Sequence, residues 1–349
     1  MTKNKAFELF DHNFETLLAL VERRLKTELR YHNLEPLKQS QKDLLDYAAL
    51  LGETLKVVYQ HRIYSALDEE VKWYGELFLA RGWKQEALMM ILDSWIIAIE
   101  GIIKPPESRM LSGAIRQLRD HLEKHPIDQM EKTVPAPSEE ILRFAEMLVE
   151  GEFQAAWNLL AQLVSAGTLP YRLVEDFIVP ALQTIGLHWQ GGQVEVFQEH
   201  LATQTAQRLL NTLLFQFPPQ EDLPFKALIC GVPGEQHALV HEALNTYLQL
   251  RGWRTICLGS NLPISQILKA VHHFKPQVLF LSLVLVGRLG AAVELIDIVR
   301  ESNPDMLLVF GGRGALMTRE YLAKYPVLLA SSFREGHDLA GAELKRRLG

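Results

Sequence analysis

Glu235-Gln236-His237 follows a short apolar stretch, Ala227-Leu228-Ile229-Cys230-Gly231, across the loop Val232-Pro233-Gly234. An imidazole at the carboxyl end of the first strand of an α/β unit projects into the crevice where open sheets bind ligands. Neutral imidazole is a good donor to a transition metal. A carboxylate two residues earlier can hold one ring nitrogen, fix the tautomer and leave the other nitrogen free for a metal. A second group lies upstream, where Trp189 is followed after nine residues by Glu199-His200.

Other chemistry is poorly supported. His241, one turn after His237, could join Glu235 and His237 in a simpler metal site, but a zinc site wants three or four clustered ligands. Gly231-Val232-Pro233-Gly234 lacks the Lys-Ser/Thr ending of a nucleotide P-loop. No Ser-His-Asp arrangement is legible. His272-His273 reads as a solvated pair at the end of a helix. Cys230 and Cys257 fall in expected buried strands and read as small core residues, not as a disulfide or zinc pair.

The elements that must position these residues follow from periodicity. Residues 1–125 read as helices only. Phe7, Phe10, Phe14, Leu17, Leu18 and Val21 recur at helical spacing, and helical patterns return near 39–62, 66–81, 84–103 and 107–124. Asn33 to Pro36, Gly82 and Pro105-Pro106 are the breaks. Residues 126–137 form a polar, proline-bearing linker. Ser138 is an expected N-cap, opening helices near 138–150, 153–166, 170–189 and 195–216. Four helices with short turns fit a small antiparallel bundle over 138–218.

From 224 to 349 the period changes. Strands expected at 226–231, 253–258, 277–285, 306–310 and 326–330 alternate with helices near 237–250, 264–274, 290–302, 315–323 and 336–347. That alternation means a parallel sheet with right-handed crossovers, of the flavodoxin-like (Rossmann-like) form. Gly234, Gly259, Gly287, Gly311 and Gly312 fall near the carboxyl ends of these strands, where a large ligand can approach the backbone. The expected fold class is multi-domain α plus α/β: an all-helical N-terminal domain, a four-helix bundle and a flavodoxin-like domain.

Composition adds limits. The 349 residues carry a formal charge of −6, with 48% hydrophobic and 22% charged residues, which is ordinary for a soluble globular protein. Nothing in that balance argues for nucleic-acid binding. No signal peptide is expected, and the run Met89 to Lys104 is interrupted by Asp93, Ser94 and Glu100, as in a buried helix and not a membrane span. A cytoplasmic location and no membrane association are the expectation.

The W-x9-EH pattern at Trp189, Glu199 and His200, followed by the E-x-H loop after a β-strand, resembles the cobalamin-binding regions of bacterial light-dependent repressors of the MerR type. The resemblance covers about residues 136–349. It implies a cobalamin held between a helical cap and a flavodoxin-like domain, with His237 as lower axial ligand to cobalt and Glu235 behind it. It implies a slot for the displaced nucleotide tail, lined by Ser282, Val284, Gly311 and Gly312, and an upper face covered by Trp189, Glu199 and His200. Adenosylcobalamin is the implied cofactor, with methylcobalamin as the other form. The expected role is that of a light-responsive sensor, not an enzyme. The alternatives are a corrinoid carrier of a methyltransferase system, which would use the same parts, and a plain storage or adaptor protein. The chain departs from the resemblance at three places. Val240 stands where the related loop has Gly, Val284 where Leu is usual, and residues 1–125 replace the winged-helix DNA-binding domain. Output is therefore expected through a regulatory protein partner or self-association of the N-terminal helices, with no direct DNA binding.

Overall fold

The computed structural model describes residues 4–31, 40–127, 137–219 and 221–348. The expected break at Asn33 to Pro36 lies outside them, as do residues 128–136 of the expected linker. Contacts divide the chain into two compact units, one through residue 135 (with 190–192), the other covering 136–189 and 193–349.

The first unit holds six described helices: α1 (Lys5–His12), α2 (Phe14–Tyr31), α3 (Gln41–His61), α4 (Tyr64–Ala80), α5 (Gln85–Ile102) and α6 (Glu107–Lys124). The first apolar run, read as one helix, is two. Asn13 ends α1, its amide donating to Leu9 O at 2.8 Å, a local bond that competes with helix propagation. The core is aromatic at its centre. Phe10 meets Tyr59 edge-on at 5.0 Å, and the Trp95 indole N–H donates to Ala48 O at 3.1 Å.

The second unit begins with α7 (Glu139–Val149), α8 (Phe153–Ser165), α9 and α10 (Val196–Gln216). Ser138 caps α7 as its sequence predicts, accepting the Ile141 N–H at 3.3 Å. At the start of α10, Glu195 and Gln198 form a capping box, which satisfies two otherwise orphaned N–H groups. The third helix is not regular. α9 starts as Pro170–Leu173, widens into a π turn at Val174–Ile178 and resumes as Val179–Gln190. Such turns insert a residue into an α-helix and are frequent at functional sites.

The α/β portion contains β1 (Lys226–Gly231), α11 (Leu239–Leu250), β2 (Arg254–Gly259), α12 (Ile264–Phe274), β3 (Val278–Ser282), α13 (Leu289–Ser302), β4 (Leu307–Gly311), α14 (Arg313–Met317), α15 (Arg319–Leu322), β5 (Leu328–Leu329) and α16 (Phe333–Leu348). The sheet is parallel throughout, in the order β2-β1-β3-β4-β5. This is the flavodoxin-like winding, and its topological switch point lies between β1 and β3. One face, with Ala227, Ile229, Val278, Phe280, Leu307 and Val309, shares a single apolar core with α11, α16 and the helical bundle. Alternate residues Leu228, Leu279 and Leu308 point to the other face and are equally buried.

Three expectations are corrected. The third strand ends at Ser282, not at 285, because a side chain takes the N–H groups that would extend the ladder. The helix expected at 315–323 is two short turns. Cys257 is only partly buried, since β2 is an edge strand. Burial pushes both thiols up to about 12, so neither is a nucleophile at neutral pH.

The turn from α11 into β2 gives a test of this packing. Gly252 has φ +91°, and a Cβ there would lie 2.0 Å from Glu221 O. Gly252→Ala is expected to cost about 1–3 kcal/mol through backbone strain, read as a lower urea midpoint. An unchanged midpoint would contradict the geometry.

Candidate cobalamin site

The carboxyl ends of β1 and β3 are tied together by one side chain. Glu235 is fully buried. Its Oε1 accepts the N–H of Gln236 at 3.0 Å and of His237 at 3.4 Å, and pairs with His237 Nδ1. Its Oε2 accepts the N–H of Val284 at 2.9 Å and of Leu285 at 3.3 Å. Burial alone would raise the Glu235 pKa. The His237 ring and the Val284 and Leu285 N–H groups outweigh it and hold the carboxyl down to about 2, as expected for a carboxylate accepting several donors. With Nδ1 engaged, Nε2 is the free nitrogen of His237, and the side chain is 52% exposed. This is the geometry of an imidazole oriented by a carboxylate and ready to ligate. Val284 acts here through its backbone N–H. Its side chain does not line the slot described next.

That slot, of about 310 Å3, opens beside the carboxyl ends of the strands. Ile229, Phe280 and Val309 floor it, and Val240, Leu244 and Phe333 wall it from α11 and α16. Ser282, Gly311 and Gly312 also line it. Val240 sits on its wall in place of glycine. Gly312 has φ +98°, and a Cβ there would approach Leu283 O to 2.7 Å, so the chain's own backbone demands this glycine. A larger depression of about 630 Å3 lies around Glu221 and Arg254, at the amino ends of the strands, away from this chemistry.

Two contributions show only in the structure, the first from a residue the sequence offered in another role. His241 is buried against Ser282, Nε2 to Oγ 2.7 Å, and its Nδ1 has no hydrogen-bond partner. Burial drives its pKa down to about 4, so the ring is neutral. It is not a ligand beside His237, and no cluster of three metal-binding side chains occurs among the described residues. The second contributor is the cap itself. Glu175, Val179, Pro180 and Gln183 of α9 also line the slot. Nothing in the helical periodicity marks them, because the π turn resets the face they occupy.

The cap motif is separate from these groups. Trp189 is 39% exposed. Glu199 accepts a hydrogen bond from Thr203 at 2.9 Å and lies 3.5 Å from Nδ1 of the exposed His200. Glu195, not Glu199, caps this helix. No hydrogen bond joins the three motif residues to the His237 loop among the described residues.

Residues 141–214 and residues 226–342 each match a B12 binding domain, the first over the helical bundle and the second over the sheet. This is a cobalamin-binding protein. It resembles the HTH-type transcriptional repressor CarH of Myxococcus xanthus, 26% identical over 159 residues, which are 45% of this chain and 52% of the repressor. The chain thus spans about half the length of that relative. It is also similar to the trimethylamine corrinoid protein of Methanosarcina barkeri, 22% identical over 221 residues, 61% of this chain and 99% of that protein. Among solved structures, the monomethylamine corrinoid protein of Methanosarcina barkeri aligns with a TM-score of 0.49 at 15% identity, over 58% of this chain and 98% of that one. No described helix is long and apolar enough to cross a membrane.

The site predicts a pH signature. A neutral buried His241 contributes stability above the ordinary histidine value near 6.5, lost as pH falls toward about 4. Glu235 contributes above about 4.5, lost as pH falls toward about 2. His241→Gln, which keeps a partner for Ser282, should flatten the loss of unfolding free energy between pH 6.5 and 4.5. Parallel pH profiles for the two proteins would reject the assignment.

Proposed function

We propose that this protein is an adenosylcobalamin-dependent switch that signals through its N-terminal helices, with no catalytic role of its own. The pairing of Glu235 with His237 supports the cofactor reading most strongly. It leaves one ring nitrogen free and half-exposed at the switch point, beside an apolar slot whose orphaned His241 Nδ1 can accept or donate to a polar ligand. These residues fit a cobalamin: His237 would hold cobalt, Glu235 would keep the imidazole oriented, and the slot would take the nucleotide tail. Bound adenosylcobalamin supplies a cobalt–carbon bond that visible light breaks. Trp189, with Glu199 and His200 near it in sequence, would cover the adenosyl group and respond to its loss. The cap and the sheet share one core, so a change at Trp189 bears on that shared contact.

Support for a switch over a carrier comes from the W-x9-EH pattern and from the likeness to a repressor. A carrier reading has its own support. The trimethylamine corrinoid protein is matched over nearly its whole length, by a stretch of this chain that has a cap and a sheet. Under that reading methylcobalamin would be the working form and a methyltransferase the partner. Under the first, the partner is a regulatory protein or a second copy of the N-terminal helices.

Two experiments follow, the first on the ligand that both readings share and the second on the difference between them. His237→Ala should lose imidazole coordination in the visible spectrum and bind cobalamin more weakly. Glu235→Gln should have a smaller effect, about 10–100-fold at most. Unchanged spectra and affinity in His237→Ala would reject it as ligand. In the second experiment, protein loaded with adenosylcobalamin is illuminated with green light. A change of size by light scattering, or of partner capture, supports the switch, and Trp189→Ala should discriminate less between adenosyl- and methylcobalamin. Identical scattering and capture after confirmed photolysis would favour the carrier.

A further inference from the structure

At the mouth of the slot a cap carboxylate occupies the start of another helix. The π turn at Val174–Ile178 carries Glu175, whose Oε1 accepts the backbone N–H of Arg334 at 3.0 Å. The Arg334 guanidinium lies 3.7 Å from Glu175 Oε2 and 3.9 Å from Asp176, and Glu175 Oε2 has no hydrogen bond. Arg334 is the second residue of the sixteen-residue helix α16, so its N–H is one of the free donors that make a helix start attractive to anions. Glu335, from α16 itself, already serves Ser331. Glu175 and Asp176 both come from the cap, and of the two only Glu175 accepts the Arg334 backbone N–H. The same slot holds an independent sign of a polar ligand, the unpartnered Nδ1 of His241, a residue only 2% exposed.

We infer that Arg334 and the first turn of α16 form the receptor for the phosphodiester of the cofactor's nucleotide tail, and that Glu175 holds this place until the tail enters. The inference rests on the cobalamin reading of the site. A phosphodiester carries a negative charge, and two anions do not share one helix start and one guanidinium at contact distance. Tail entry therefore expels Glu175 and breaks a contact between cap and sheet. A second contact remains as the pivot: Arg251 lies over the Tyr171 ring at 4.6 Å, and Tyr171 meets Tyr247 edge-on at 5.4 Å. Occupation of the slot is thereby transmitted to the cap through a charge exchange.

The test compares two corrinoids on the full-length protein. Cyanocobalamin carries the tail and dicyanocobinamide lacks it. Arg334→Gln should weaken cyanocobalamin about tenfold, the size of one charge-assisted hydrogen bond, and leave dicyanocobinamide unchanged. Glu175→Gln still accepts from the Arg334 N–H, so the fold is kept, but its repulsion is gone. It should tighten cyanocobalamin and leave dicyanocobinamide unchanged. Near-UV circular dichroism checks that each variant is folded. Equal effects on both corrinoids, or weaker cyanocobalamin binding by Glu175→Gln, would overturn the inference and leave Glu175 as a structural cap contact. Wild-type protein that binds neither corrinoid would instead overturn the cobalamin reading and this inference with it.

Discussion

The buried carboxylate of Glu235 is the constraint on which the site depends. Four N–H donors from two loops and one imidazole nitrogen converge on it. A buried charge this well satisfied is costly to disturb, because removing it leaves its donors stranded. It ends β3 early, holds the β1 and β3 loops at the switch point, and fixes which nitrogen of His237 is available. The orientation of the His237 ring thus depends on the backbone of a neighbouring strand, through the carboxylate they share.

The second organising fact is that cap and sheet share one core. The bundle and one face of the sheet bury a common apolar cluster, with Phe144, Leu209 and Tyr247 among its members. The slot exists because α9 closes the gap between α11 and α16. Its walls come from segments far apart in sequence, from Glu175 to Gly336. A ligand that fills it touches both halves at once, which makes it suited to couple them.

Much of this was legible in the sequence. The alternation after residue 224 gave the parallel sheet, Ser138 announced a helix start, and the E-x-H loop marked the ligand candidate because its chemistry resides in side chains. What stayed hidden was carried by backbone or by irregularity. Val284 serves through its N–H, which any residue supplies, so its identity carries no signal. The pairing of His241 with Ser282 joins residues 41 apart in sequence and cannot be seen before the strands are ordered. Cys257 looked like a core residue, and only strand order reveals that β2 lies at the edge. Glu175 reads as an ordinary helical carboxylate until the π turn places it at the slot.

That π turn also sets a phase. Each residue of an α-helix advances about 100° around the axis and about 1.5 Å along it. One residue removed from Val174–Ile178 would restore a regular helix and turn everything beyond it by roughly that angle. Val179, Pro180 and Gln183 would leave the slot wall, and Trp189 would swing to a different side of the same rod. The slot wall and the cap motif are therefore two marks on a single shaft. The stretch from Gln183 to Trp189 is short, roughly 9 Å at that rise, and has no described hinge between them. Whatever displaces the shaft at one mark must move the other, so the slot wall and the cap motif share one helix position.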